Sequence, residues 1–151
     1  MSKQLTNTAL ALAATATAAA LSACSAAPEP EAFGPTWQVT DLYKVPGEPS
    51  TLPAAVAGTV TVAFGQRSLA GYTGCAGFQA TSLLSDTELT ITDLQFDDPA
   101  PDCPTEVHDA MVNFWNLGRF EVIRPGNGSG STMILREQGN MVDPESIKLV
   151  Q

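Results

Sequence analysis

Beyond residue 36 the apolar positions recur at alternate places over short runs. Trp37 and Val39 alternate with polar neighbours in residues 37–43. Val60, Val62 and Phe64 share one face of residues 59–64, and Leu89 and Ile91 stand against Thr90 and Thr92 in residues 88–94. The alternation returns at Phe120 and Val122, and residues 132–136 and 146–150 are two more short β-type runs. A period of two places every second side chain on one face, as in a strand with one side buried. Gly65 and Gln66 join residues 59–64 to residues 68–72 as a hairpin, and the run Pro-Gly-Asn-Gly-Ser-Gly at 125–130 is a second turn. Residues 105–117 differ: Val107, Ala110, Met111, Phe114 and Leu117 recur at the three-and-four spacing of one helical face. Pro104 precedes this helix, Gly118 follows it, and Glu106 and Asp109 lie in its first turn, where the helix dipole favours negative charge. The predicted class is α+β, an antiparallel meander with one helix packed against it.

The first 36 residues follow neither period. After Lys3 the chain runs without charge through Leu5, Leu10 and Leu12 and an Ala/Thr stretch to Leu21, a short charged start followed by an apolar segment. Leu21, Ser22, Ala23 and Cys24 look like a lipobox, where a signal peptidase cuts ahead of a diacylated cysteine. The stretch is too short and too rich in threonine to be a membrane span. Residues 1–23 are therefore expected to be a signal peptide and Cys24 a lipid anchor holding the protein to the outer face of the cell membrane. Residues 25–36 contain three prolines and two glutamates and little to bury, the composition of an extended tether. A polyproline-like conformation would carry the domain about 30 to 40 Å from the membrane. The expected organisation is a signal peptide over 1–23, a lipidated tether over 24–36 and one folded domain over 37–151.

Seven basic residues face sixteen acidic ones. Binding to a nucleic-acid backbone needs clustered cations, whereas Arg67, Arg119, Arg124 and Arg136 are scattered among carboxylates, so nucleic acid is not an expected partner. An acidic surface suits basic partners or simply keeps the protein soluble. Of the three cysteines, Cys24 is accounted for. Cys75 and Cys103 form an even pair in an oxidising compartment, and the default reading is a disulfide. Their separation of 28 residues would make it worth about 3.5 kcal/mol by loop entropy. The alternative is a reactive thiol served by His108, the one histidine. The carboxylates Asp97, Asp98, Asp102, Glu106 and Asp109 could offer oxygen ligands to calcium. Pro99, Pro101 and Pro104 interrupt the spacing an EF-hand needs, and a solvated loop is the simpler reading. No zinc set, phosphate-cradling loop or Gly-x-Ser-x-Gly elbow is present. The expectation is a non-enzymatic domain without cofactor or metal.

With these residues laid out, the domain resembles the META/HslJ family (DUF306-like), small bacterial envelope domains that often follow a lipobox. The likeness spans nearly all of residues 36–150. It is most specific at Leu69-Ala70-Gly71-Tyr72-Thr73-Gly74-Cys75, followed by the aromatic Phe78, the Leu89/Ile91 strand, and Cys103 ahead of the helix. Two departures stand out: Ala76 replaces a preferred Asn, and residues 97–102 replace a Thr-x-Met-Ala stretch. The resemblance implies a strongly curved antiparallel β-sheet, a meander forming a partial barrel, wrapped around one α-helix. It also implies roles in envelope stress or antibiotic tolerance without established catalysis. The functional expectation is a membrane-anchored protein that binds or supports another envelope component. Alternatives are an inhibitor of a basic wall-degrading enzyme such as lysozyme, or a hydrolase or thiol enzyme.

Overall fold

The computed structural model describes residues 33–56, 58–126 and 131–151. The signal segment, Cys24 and most of the tether lie outside them, as do residues 127–130 of the turn at 125–130. Eight antiparallel strands form a closed barrel in chain order: β1 (Thr36–Tyr43), β2 (Thr61–Phe64), β3 (Ser68–Tyr72), β4 (Gly77–Leu84), β5 (Glu88–Phe96), β6 (Arg119–Ile123), β7 (Thr132–Glu137) and β8 (Ser146–Val150). A helix, α1 (Thr105–Asn116), stands between β5 and β6.

This corrects the expected partial barrel wrapped around a helix. Two features close the sheet. Sequence reading passed over β4, which pairs with both β3 and β5. In addition, β8 pairs with β1 from Gln38↔Val150 to Tyr43↔Ser146, so neither terminal strand is left with open backbone groups. The helix does not run along the inside of a curved sheet. It approaches the sheet backbone chiefly at β5, and its side chains enter the core from one end.

The core is continuous. Trp37, Val39 and Leu42 from β1, Val62 and Phe64 from β2, Leu69 from β3, Leu89 from β5, Phe120 from β6, Leu135 from β7 and Ile147 and Leu149 from β8 all pack inside. Burial of each such side chain contributes about 1.5 to 3 kcal/mol. The helix adds Val107, Met111, Phe114 and Trp115. Phe114 stacks on Phe120 with ring centroids 4.7 Å apart, and Trp115 packs 5.5 Å from Phe78. Gly71 is required where β3 crosses this packing, because a Cβ there would strike the Thr61 carbonyl and lie 2.6 Å from the Phe78 ring.

Two β-bulges switch the inward parity. The pairing of β1 with β8 shifts between Val39 and Asp41, so inward positions run 37, 39, then 42. The pairing of β4 with β5 shifts between Gln79 and Thr81, where β5 contributes one extra residue, and the packed positions pass from Leu89 and Ile91 to Leu94 and Phe96. Asp93 lies at this bulge with φ 52°, the one non-glycine residue with positive φ among those described.

Strand directions define two poles. The described chain begins at Phe33, which bridges to Phe64 at the end of β2. Around this near pole lie the turns at 65–67 and 85–87, residues 124–126 and Gln151. The far pole gathers the long β1–β2 connection, the β3–β4 turn at 73–76, the 97–104 loop with the start of α1, and the β7–β8 tip at 138–145.

Candidate functional site

Cys75, Cys103 and His108 meet at the far pole. Thr73 ends the approach to the β3–β4 turn, and its hydroxyl accepts the backbone N–H groups of Cys75 (3.3 Å) and Ala76 (3.1 Å). Gly74, at φ 93°, supplies the left-handed position of this turn. Thr73 thus holds this turn through its side chain. The hydroxyl lies 2.8 Å from Nδ1 of His108 and 3.2 Å from the Ala76 carbonyl. With both lone pairs engaged by backbone donors, the hydroxyl has one proton to share between the Ala76 carbonyl and Nδ1, and it donates to Nδ1 in the tautomer that carries the ring proton on Nε2. Phe96 meets the imidazole edge-on at 6.1 Å.

Cys75, in the same turn, is joined by a disulfide to Cys103, just ahead of α1, with the two Cα atoms 5.6 Å apart. Turn and helix start are therefore tied twice, once covalently and once through Thr73 and His108. His108 is 8% exposed and Thr73 0%. His108 turns inward from α1, because its ring is matched by a hydroxyl and an aromatic side chain. Nδ1 of the imidazole is taken by Thr73, and Phe96 packs edge-on against the ring.

The acidic stretch does not converge. Asp97, Asp98, Asp102, Glu106 and Asp109 are all exposed, and no three His, Cys, Asp or Glu side chains among the described residues are grouped to hold a metal ion. No helix among the described residues is long and apolar enough to cross a membrane. Tyr43, at the far end of β1, has its phenol pKa raised above the ordinary 10.0 by desolvation and then by the Asp41 carboxylate.

Sequence reading gave no signal for two shallow concavities. One, about 340 Å³, lies on the outer face of β3–β5 between Ser68, Ala70, Gln79, Thr81, Asp93 and Gln95. The other, about 320 Å³, lies beneath the β7–β8 tip, with Glu121, Arg136, Glu137, Asn140, Met141 and Pro144 in its wall. Above it Met141 and Val142 are 95% and 82% exposed, the two most exposed large hydrophobic side chains described.

No protein-family profile matches the chain, and no curated protein matches it significantly. Among solved structures, it is similar to the NMR structure of a protein from Burkholderia xenovorans, with a TM-score of 0.58 and 18% identity over 83% of this chain and 92% of that one. At that identity the likeness speaks to fold alone.

Proposed function

We propose that this protein is a lipid-anchored, extracytoplasmic binding domain without catalytic activity, which binds or supports another component of the cell envelope. The observation that carries this reading is the state of its would-be reactive groups. His108 is buried against Thr73 and Phe96, and Cys75 and Cys103 are bonded to each other, whereas the solvent-facing features of the far pole are shaped loops. The lipobox-like Leu21-Ser22-Ala23-Cys24 supplies the anchor, and the Gly71 to Cys75 segment supports kinship with META/HslJ domains and hence a role in envelope stress or antibiotic tolerance.

The test is chemical cross-linking in cells, followed by purification of the full-length protein and measurement of its intact mass. The reading expects acylation at Cys24 and recovery of a specific envelope component, lost when Cys24→Ala prevents anchoring. An unacylated mass, or repeated failure to recover any component with correctly lipidated protein, would sink it. A second reading is favoured by the formal charge of −9: inhibition of a basic wall-degrading enzyme such as lysozyme. It expects loss of muramidase activity that is relieved by salt.

A further inference from the structure

We propose that the β7–β8 tip is a docking peg, with Met141 and Val142 entering an apolar pocket rimmed by Lys or Arg on an extracytoplasmic protein. This deepens the binding reading above and rests on it. Exposed apolar residues on a loose loop would signify little, but this loop is built to hold its shape. Asn140 donates from Nδ2 to the Asp143 carbonyl (2.9 Å) and to the Glu137 carboxylate (3.3 Å), and its Oδ1 accepts the backbone N–H groups of Val142 and Asp143, each at 3.2 Å. Glu137 also accepts the backbone N–H of Glu145, so both sides of the tip are tied to one carboxylate. Gly139 takes the left-handed turn at φ 96°. Four side-chain bonds from one asparagine thus lift two large apolar side chains into water with little ordering left to be lost on binding.

The occupant follows from charge and position. Around the peg Glu121 is paired with Arg136, and Glu145 with Lys44 at 2.9 Å. Glu137 and Asp143 have no cationic partner among the described residues, so the surroundings of the apolar tip are net negative. The concavity beneath Met141 is lined by the Glu121–Arg136 pair and by Glu137, whose carboxylate is the one there without a cationic partner among the described residues, and it is open to a cationic side chain reaching in beside the peg. An anionic membrane would be repelled by this rim, and a symmetric pair of these tips would set acid against acid. The tip also lies at the pole opposite Phe33, the first described residue, so a protein held by its N-terminal segment presents the peg away from the anchor.

The experiment places a photo-reactive residue in the full-length protein, in living cells, as Val142→p-benzoylphenylalanine, with Leu83→p-benzoylphenylalanine on an exposed near-pole site as the comparison. The expected result is one extracytoplasmic protein captured from position 142. Its purified form should bind the wild-type protein and bind Met141→Ser/Val142→Ser at least about tenfold more weakly, with affinity falling as salt is raised. Because both side chains are exposed, the double variant should keep the wild-type melting temperature, which separates lost docking from lost folding. Capture of lipid or of a second copy from position 142 overturns the proposal, as does a partner whose affinity is indifferent to the double substitution. A partner captured only from position 83 overturns the peg and leaves the binding reading standing; capture from neither position overturns both.

Discussion

At the scale of single residues, the interior of the barrel tolerates polar groups that it does not fully satisfy. Ser82 is 1% exposed, and its hydroxyl has no hydrogen-bond partner among the described residues. Removing a buried, unpaired hydroxyl relieves a desolvation cost, so Ser82→Ala is expected to raise stability by about 1 kcal/mol, read as a higher urea midpoint at unchanged slope. A lower midpoint would show that the hydroxyl is better matched than its surroundings indicate. Asp93 holds a conformation that costs an ordinary residue about 1 to 2 kcal/mol, and glycine adopts it freely. Asp93→Val is expected to lose about that much, while Asp93→Gly stays within about 1 kcal/mol of wild type because glycine's extra freedom in the unfolded chain offsets the relief. Equal losses in both variants would mean that the carboxylate and not the backbone matters at the bulge. Tyr43 offers a check on charge: its folded pKa lies above the unfolded value, so its contribution to stability is present below pH about 10 and is lost as pH rises through the folded value. In a Tyr72→Phe background, phenolate absorbance should titrate above the ordinary range and move back toward it in Asp41→Asn. No movement would remove Asp41 as a cause.

At the scale of elements, the β3–β4 turn and the start of α1 behave as one unit. Thr73→Val keeps the shape and removes the hydroxyl, leaving the N–H groups of Cys75 and Ala76 and Nδ1 of His108 without their partner. A loss of at least about 2 kcal/mol is expected, with Thr73→Ser recovering most of it. Because the disulfide holds the same turn, the losses from Thr73→Val and from Cys75→Ala/Cys103→Ala should fall short of additive by more than about 0.5 kcal/mol in a double-mutant cycle. Strict additivity would mean that the two ties act on separate parts of the fold. These elements were legible in the sequence to different depths. The helix was plain, since five apolar positions at helical spacing sit between Pro104 and Gly118, and it ends where the glycine at φ 74° requires. β4 was not, because Ala80 and Ser82 occupy the positions between Phe78 and Leu84 that an apolar rhythm would need. The last residues of β5 were lost for another reason: the bulge at Asp93 shifts the packed positions by one, so Leu94 and Phe96 fall out of phase with Leu89 and Ile91. The tie between Thr73 and His108 carried no sequence signal, since it depends on two segments 35 residues apart meeting at one pole.

For the whole molecule, closure is the decisive property. β8 is the last strand in the chain, and it pairs with both β1 and β7. A chain stopped after Glu145 would leave two open edges and expose the core otherwise covered by Ile147 and Leu149. Loss of the cooperative thermal transition and binding of a hydrophobic dye are expected; a sharp transition near the wild-type temperature would show that seven strands suffice.

The same closure determines how the molecule would bear mechanical load. Any pull transmitted from the N-terminal segment reaches the barrel through Phe33 and the start of β1, and a load held at the far pole opposes it along the strand direction. β1 lies between β2 and β8, and ladder hydrogen bonds run across the strands, so such a force meets both ladders in shear, with many bonds strained together and none peeled singly. A strand at the edge of an open sheet has a neighbour on one side only; β1 is clamped from both.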